Sequence, residues 1–274
     1  MWIILFIIII LLILYLLAIM PRMFGRHNFT TWQGRYYAHR GLHQDPNKVP
    51  ENSMAAFQLA VKNNYGIEMD IQLTKDNIPV VFHDFTLKRL CGIEKKVKEF
   101  TFVELQEFTL HQSKERIPSF QSVLDMIAGQ VPIIIEFKVE DYNTTVCDVT
   151  APMLEKYNGT YCIESFNPLV LLWYKKNRPG IIRGQLASNF VKDKEKGNSL
   201  MYFILQNLLI NFITKPDFIS YNHLHRNMLS LILCKKLYRT PCFAWTIKSQ
   251  AHLDASRNSF DFFIFDLFIP QENR

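Results

Sequence analysis

The sequence lacks several patterns that identify common classes of protein. Its five cysteines are odd in number and include no C-x-x-C pair, which argues against a zinc or dithiol site and for reduced, mostly buried thiols. No G-x-G-x-x-G loop is present to favour a dinucleotide-binding sheet. Basic residues form no run longer than a pair such as Lys95-Lys96, which argues against a nucleic-acid partner. No internal repeat or low-complexity segment is visible.

The composition is that of a globular protein with a large hydrophobic core. Of its 274 residues, 49% are hydrophobic and 20% are charged, which leaves little room for long disordered tracts. This length suits one α/β barrel, which commonly needs ~250 residues, together with an anchor. The net charge of +6 weakly favours an anionic membrane surface or an anionic substrate, and nothing in the sequence implies a protein partner.

Residues 2–20 form an apolar run without a charge, a glycine or a proline. At 1.5 Å per residue, a helix of this length reaches roughly the ~30 Å of a bilayer core. A cleaved signal peptide is the less favoured alternative, because only Met1 and Trp2 precede the long apolar stretch and neither is positively charged. We therefore predict a single-pass membrane protein with an anchor at 1–21, a linker at 22–34 and a folded domain at 35–274.

The flanking charges predict the side of the membrane. Basic residues are absent before the apolar run and follow it at Arg22, Arg26 and Arg35, which predicts a cytoplasmic domain. Reduced cysteines agree with this placement. Three N-x-[ST] triplets would matter only in a glycosylating secretory pathway and point the other way; they begin at Asn28, Asn143 and Asn158.

Nine short runs of β-branched and aromatic residues, bounded by turn residues, predict strands. Helical patterns lie between most of them, including a capping box at Thr101 and Glu104. This alternation predicts an α/β fold with parallel strands and crossover helices, either a closed barrel or an open doubly wound sheet. The predicted strands are 35–39, 67–73, 78–83, 131–138, 160–165, 181–186, 217–221, 241–247 and 262–266.

Nine strands are one too many for a closed eight-stranded barrel. Only four residues separate Leu73 from Ile78, too few for a crossover helix, so these two strands form a hairpin or one of them leaves the barrel. A second unusual segment, 200–213, is apolar on nearly every side. We predict one helix there, either a core helix or a lip of the barrel that faces lipid.

Two histidines follow apolar strands directly. His39 ends the predicted strand 35–39, and His83 ends the predicted strand 78–83. On a barrel, residues at the carboxyl ends of strands line the active site. A single histidine there is more often structural, but two in the same setting favour a general acid and a general base, because histidine titrates near neutrality.

Three carboxylates interrupt apolar strands. Glu68 and Asp70 are two residues apart on one strand, so both side chains project to the same face. Burying both without a cation is costly, whereas exposing them on a hairpin would leave the apolar residues between them uncovered. Glu136 follows another apolar strand in the same way. An all-oxygen ligand set predicts Ca²⁺ or Mg²⁺ rather than zinc.

Cationic side chains accompany these acids. Arg40, next to His39, can contact a phosphate through two hydrogen bonds. Lys138 shares a strand face with Glu136, and we favour a contact with a phosphate oxygen over an internal ion pair, because side chains two apart on a strand run parallel. Glu51 can orient Arg40, complete the outer shell of the metal, or simply belong to the capping turn of the next helix.

Together these residues resemble the glycerophosphodiester phosphodiesterase family. Each motif alone is weak, but the full set, in the family's order over 37–270, is specific. The matching motifs are His39-Arg40-Gly41, Pro50-Glu51-Asn52-Ser53, Glu68-Met69-Asp70 with Gln72-Leu73-Thr74-Lys75-Asp76, Pro79-Val80-Val81-Phe82-His83-Asp84 with Thr86-Leu87 and Arg89, Ile117-Pro118-Ser119, Glu136-Phe137-Lys138, Ser165-Phe166-Asn167-Pro168 and Ala244-Trp245-Thr246.

The resemblance implies a TIM-type (β/α)8 barrel, preceded here by one transmembrane helix, that hydrolyses glycerophosphodiesters to glycerol 3-phosphate and an alcohol. In the family a glycerol hydroxyl attacks the phosphorus, and water then opens the cyclic phosphate. The implied site consists of the acid–base pair His39 and His83, the ligands of a divalent cation Glu68, Asp70 and Glu136, the substrate contacts Arg40, Lys138, Phe166 and Trp245, and Glu51 behind them.

One motif departs from the family pattern, and two other functions compete with the leading one. The family's Trp-Thr-Val-Asn reads Trp245-Thr246-Ile247-Lys248 here, so Lys248 either contacts an anionic head group or points to solvent. The anchor and the apolar segment 200–213 also suit a lysophospholipase D that takes lipid substrates directly. The third alternative is a non-catalytic, membrane-attached binding barrel.

Overall fold

The computed structural model, which describes residues 1–195 and 197–271, contains a strand at each of the nine predicted segments. Eight of them are parallel and close into a barrel in the order β1-β2-β4-β5-β6-β7-β8-β9, with β9 pairing to β1. This confirms the TIM-type barrel and rules out the open sheet. The strands are β1 Tyr36–His39, β2 Gly66–Leu73, β3 Pro79–Val81, β4 Ile133–Phe137, β5 Tyr161–Ser165, β6 Arg183–Ala187, β7 Phe218–Asn222, β8 Cys242–Ile247 and β9 Phe262–Phe265.

Helices follow most of the barrel strands and form the outer layer. The predicted capping box is present, since the backbone N–H of Thr101 donates to Glu104 at 2.7 Å and the Thr101 hydroxyl accepts from the Glu104 backbone at 3.3 Å. The α-helices are α1 Trp2–Ile19, α2 Met54–Lys62, α3 Lys88–Cys91, α4 Phe102–Leu105, α5 Phe120–Ile127, α6 Thr145–Glu155, α7 Pro168–Asn177, α8 Ser199–Gln206, α9 Asn211–Thr214, α10 Leu229–Lys236 and α11 Gln250–Ser256.

One of the nine strands, β3, forms a hairpin with β2 and lies outside the closed ring of eight. It pairs antiparallel to β2, with Ile71 opposite Val81. The backbone N–H of Phe82 then donates to the carbonyl of Asp70 at 2.9 Å. The hairpin therefore returns the chain to the carboxyl end of the barrel and places the next residue, His83, beside the acids of β2.

Side chains that point into the barrel change in character along the strands. Tyr37 and Ile134 belong to a buried, mostly aromatic cluster near the amino ends of the strands. Two residues further along the same strands, and so on the same face, are His39 and Glu136. The period of two thus gives the barrel an apolar floor and a polar mouth. All five cysteines are free thiols, and only Cys91 is not fully buried, as predicted.

Part of the segment 22–34, which was expected to be a linker, packs into this floor. Phe29 and Trp32 are buried in the same aromatic cluster. The Trp32 ring stacks on Tyr37 with ring centroids 5.8 Å apart, and the Tyr37 hydroxyl donates to the Trp32 carbonyl at 2.8 Å. These contacts tie the chain after α1 to the bottom of the barrel.

The α1 helix is long and apolar enough to cross a membrane, with a mean hydropathy of 3.4. Its first thirteen residues, 2–14, are exposed, and contact with the barrel begins at Tyr15. At the other end of the helix, Ile19 is fully buried, and its carbonyl accepts a hydrogen bond from the Asn211 side chain at 3.0 Å. The helix is therefore docked at its carboxyl end, and residues 2–14 are exposed with respect to the rest of the described chain.

The prediction of one continuous helix at 200–213 is wrong, because the chain breaks between α8 and α9. Leu208 adopts a left-handed conformation, with φ of 57°, and buries its side chain completely. The Asn207 side chain donates to the Phe203 carbonyl at 2.9 Å near the end of α8. Burial of Leu208 offsets the backbone cost of a non-glycine residue at positive φ.

Candidate active site

Three carboxylates from two neighbouring strands meet at the mouth of the barrel. Glu68 and Asp70 on β2 and Glu136 on β4 each offer an oxygen within 4.8 Å of the other two, and all three are buried. Parallel pairing sets Asp70 directly beside Glu136. Burial, and then repulsion from Asp70, raise the pKa of Glu68.

The electrostatics of this cluster suit a divalent cation. Burial also raises the pKa of Glu136, although Lys138 opposes the shift. For Asp70, burial alone would raise the pKa, but His83, Lys138 and Arg40 hold it below its usual range. Among the described residues, no donor hydrogen-bonds the Asp70 Oδ1 atom. Three clustered, buried carboxylates with an unsatisfied oxygen fit a hard cation that prefers oxygen ligands.

His39 lies at the end of β1, above the acids. Its Nε2 atom is 4.0 Å from Glu68 Oε2, and its Nδ1 atom is 3.6 Å from Asp266 Oδ2. Burial, and then the charge of Arg40, lower the pKa of His39 to about 4, even though Asp266 acts in the opposite direction. The ring is therefore neutral at pH 7. The negative charge of Asp266 favours a proton on Nδ1, the nitrogen nearest to it, and so favours a free lone pair on Nε2.

His83 reaches the same pocket from the hairpin. Its Nδ1 atom is 2.7 Å from Asp84 Oδ1, and Arg89 holds the other oxygen of Asp84 at 2.7 Å. Behind the turn, the Gln72 side chain donates to the carbonyls of Phe82 and Asp84, each at 2.8 Å. These contacts fix the backbone around His83.

Arg40 stands between the histidine and the acids because of the turn that follows β1. Arg40 and Gly41 both have positive φ, and a Cβ atom on Gly41 would come within 2.9 Å of Ala56, so the turn needs glycine there. The Arg40 side chain donates to Glu51 at 2.6 Å. Although burial opposes it, hydrogen bonds from Arg89 and the charge of Arg40 lower the pKa of Glu51 to about 2. Glu51 therefore orients Arg40, one of its expected roles.

The two residues that follow Glu51 have separate tasks. Ser53 is the N-cap of α2, with its hydroxyl accepting from the Ala56 backbone at 3.1 Å. Asn52 instead donates to Asp70 Oδ2 at 2.8 Å. The turn that starts the helix therefore also positions an acid of the cluster.

Lys138 forms the ion pair with Glu136 that the sequence made the less favoured alternative. Lys138 Nζ lies 2.8 Å from Glu136 Oε1 and 3.6 Å from Asp70 Oδ1. Lys138 belongs to the residues that follow β4, so its long side chain can bend back over the acids. Despite the burial of the amine, Glu136 and Asp70 raise the pKa of Lys138. The ammonium group thus sits at the edge of the acid cluster.

An aromatic wall completes the pocket. The rings of Phe166 and Trp245 lie edge to face with centroids 5.6 Å apart, and both line the same pocket as His39 and His83. The structure therefore brings all nine residues predicted for the acid–base pair, the metal and the substrate to one mouth, with Glu51 behind Arg40. Lys248 is exposed.

Sequence reasoning missed two buried acids around this pocket, Asp266 and Glu164. Asp266 lies between His39 and His43, with its Oδ1 atom 2.8 Å from His43 Nε2. Glu164, on β5, lines the pocket, and burial followed by repulsion from Glu136 raises its pKa to about 8. Asp266 carried the same signal as His39 and Glu136, because it directly follows an apolar strand.

An eight-stranded barrel whose mouth gathers two histidines, three carboxylates and two cations has the residue set of a phosphoric diester hydrolase. The chain belongs to the glycerophosphoryl diester phosphodiesterase family, whose sequence profile matches residues 39–261.

Individual relatives agree with this assignment. YhdW of Bacillus subtilis (strain 168), named for glycerophosphodiester phosphodiesterase activity, is 28% identical over 223 residues, which cover 78% of this chain and 86% of YhdW. The glycerophosphodiester phosphodiesterase of Caldanaerobacter subterraneus subsp. tengcongensis is 34% identical over 161 residues, covering 54% and 65%. An Oleispira antarctica phosphodiesterase, solved with its product sn-glycerol-3-phosphate, shares the fold with a TM-score of 0.68 and 21% identity, covering 86% of this chain and 93% of that one.

Proposed function

We propose that this protein hydrolyses glycerophosphodiesters to glycerol 3-phosphate and an alcohol, with His39 and His83 as the base and the acid. The observation that carries the proposal is the convergence, in one pocket, of both histidines with the acid cluster, Arg40 and Lys138. Membership of a family of diesterases argues against the non-catalytic barrel.

The first step needs a proton acceptor and anion binding. Arg40 and Lys138 bind the phosphate oxygens, while neutral His39 accepts the proton of the glycerol hydroxyl through Nε2. The hydroxyl oxygen attacks phosphorus, the bond from phosphorus to the alcohol oxygen breaks, and His83 donates a proton to that oxygen. The cyclic phosphate remains bound.

The second step reverses the proton transfers. His83 accepts a proton from water as the water oxygen attacks phosphorus, and His39 returns its proton to the glycerol oxygen that leaves. Glu68, Asp70 and Glu136 would hold Ca²⁺ or Mg²⁺, which when bound stabilises the negative charge that develops on the phosphoryl oxygens. Asp266 and Asp84 keep the two imidazoles in position.

A panel of soluble glycerophosphodiesters tests this proposal. The purified full chain should release glycerol 3-phosphate from glycerophosphocholine or glycerophosphoethanolamine in the presence of Ca²⁺ or Mg²⁺, because both carry the glycerol and phosphodiester groups on which the proposed reaction acts. Product can be followed with a coupled assay, and His39→Ala serves as the inactive reference. If no member of the panel is cleaved with either cation, the proposed reaction is wrong.

A second candidate reaction is the lysophospholipase D reaction, favoured by a row of aromatic rings. Starting from Trp245 and Phe166 in the pocket, Phe190 lies 5.9 Å from Phe166, and Tyr202 of α8 stacks on Phe190 at 4.9 Å between centroids. Such a row offers an apolar path from the pocket to α8 for an acyl chain. Adding lysophosphatidylcholine to the panel discriminates the two: no release of choline from it, under conditions in which glycerophosphocholine is cleaved, would eliminate this candidate.

We further propose that α1 anchors the protein in a membrane and that the barrel is cytoplasmic. Support comes from the exposed, uncharged residues 2–14 and from the arginines that follow the helix. In the structure, Arg22 pairs with Asp217 at 3.2 Å, so this charge is also partly used in docking the chain to the barrel.

A further inference from the structure

The direction of α1 relative to the barrel determines which face of the barrel meets a membrane. Tyr15 lies against Ser230, and one turn later the Ile19 carbonyl contacts the Cys234 thiol at 3.5 Å. Because the later residue of α1 contacts the later residue of α10, the two helices run parallel. Because α10 follows β7, it starts near the catalytic face and ends near the opposite face.

The chain after α1 confirms this direction. The Arg22 backbone N–H donates to the carbonyl of Pro216 at 3.0 Å, just before β7 begins at the floor of the barrel. The α1 helix therefore descends along the barrel from the catalytic face to the floor. Its exposed residues, 2–14, project beyond the catalytic face.

The projection of these exposed residues sets the catalytic face towards the bilayer. Thirteen helical residues extend about 20 Å at 1.5 Å per residue, so a bilayer that takes them up lies on the catalytic side of the barrel. Interfacial protein segments enter the headgroup and acyl boundary by about 5–10 Å, so an apolar surface beside α1 on that side can insert there.

Such a surface is present on the same side of the catalytic face. Exposed aliphatic and aromatic side chains occupy the connections after β6, β7 and β9, with 54–68% of each accessible to solvent. We call this surface the apolar rim; it consists of Val191, Leu200, Phe203, Leu224, Leu229, Leu267 and Ile269.

The opposite side of the mouth is different in character. Around β2 and β4 the surface groove is lined by charged residues, including Lys96, Lys98 and Glu140. On the side of the rim, the exposed Lys192 and Lys194 are placed to meet anionic headgroups. A soluble surface seldom carries so many large apolar groups in neighbouring loops, and the exit of α1 beside them identifies lipid as their partner.

We propose that the apolar rim inserts into the surface of the bilayer that α1 enters, so that the catalytic mouth opens towards the lipid headgroups. This rests on the proposed membrane anchorage and goes beyond it, because an anchored barrel on a flexible tether need not face the membrane. Substrates that reside in or adsorb to the bilayer would then reach the pocket without passing through bulk solvent.

The depth of two labelled positions tests the proposal. In a Cys91→Ser background of the full chain, Leu224→Cys on the rim and Val103→Cys on α4 each receive a nitroxide label. Both native side chains are exposed, by 61% and 73%, but they lie on opposite sides of the barrel. The protein is reconstituted in nanodiscs of phosphatidylcholine and phosphatidylglycerol, and relaxation by oxygen is compared with relaxation by a nickel chelate.

We expect the label at position 224 to be relaxed more by oxygen than by the nickel chelate, and the label at 103 to show the reverse. Nickel-accessible labels at both positions in discs that retain the protein would overturn the rim proposal, and protein that fails to enter the discs would overturn the anchorage as well. Neither result depends on activity, so failure of the proposed reaction would be seen separately in the substrate panel.

Discussion

Replacing His39 with alanine is expected to lower kcat by about 10³-fold, within the range of 10² to 10⁴ that a general base contributes. In the proposed reaction the proton acceptor is the neutral ring of His39, whose pKa is lowered to about 4 by burial and by Arg40. Alanine leaves the phosphate contacts in place, so KM should change by less than a few fold. The measurement is steady-state hydrolysis of a soluble glycerophosphodiester.

Two further variants separate catalysis from folding. His252→Ala removes an exposed histidine from α11 and should leave kcat unchanged. Asp266→Asn should reduce kcat by a smaller factor, on the order of 10-fold, because the carboxylate acts only through the orientation of His39. Combined with His39→Ala, it should cost nothing more, since its partner is gone. Wild-type kcat in His39→Ala would show that the base lies elsewhere.

Features that depend on local periodicity were predictable from the sequence. The nine strands were placed correctly because short apolar runs bounded by turn residues survive as strands when both faces are buried. The same period of two places His39 above Tyr37 and Glu136 above Ile134, so a strand that ends in a polar residue indicates the mouth of the barrel.

Features that depend on contacts distant in the chain were not predictable. Asp266 faces His39 only because β9 pairs with β1 and closes the barrel, and sequence spacing carries no record of that closure. The Glu136–Lys138 pair forms because Lys138 can bend back over a buried cluster of acids. The break at Leu208 depends on a buried site for its side chain, which no local propensity describes.

Removing the divalent cation is expected to abolish measurable hydrolysis, because several kcal/mol of charge stabilisation corresponds to a rate factor of roughly 10³ or more. Chelation followed by gel filtration should give an inactive protein, and added Ca²⁺ or Mg²⁺ should restore it. Glu68→Gln should be as inactive as the chelated enzyme, with no recovery on addition of either ion. Glu164→Gln is the matched control, since that acid has a pKa raised to about 8 and is mostly protonated at pH 7.

The thermal stability of the metal-free protein should respond to Glu68→Gln in the opposite direction to its activity: the activity falls, whereas the Tm does not. Without a cation, burial and repulsion from Asp70 disfavour the charged form of Glu68. The Tm of the Glu68→Gln variant should therefore match or exceed that of the metal-free wild type. With a cation at 100 times its Kd, the wild type should gain about 2.7 kcal/mol, or about 5–10 °C in Tm, which Glu68→Gln should largely lose. If the cation still raised the Tm of Glu68→Gln but no longer raised that of Glu164→Gln, the cation site would not be the cluster of Glu68, Asp70 and Glu136. A bound cation raises the Tm only while the residues that bind it are intact.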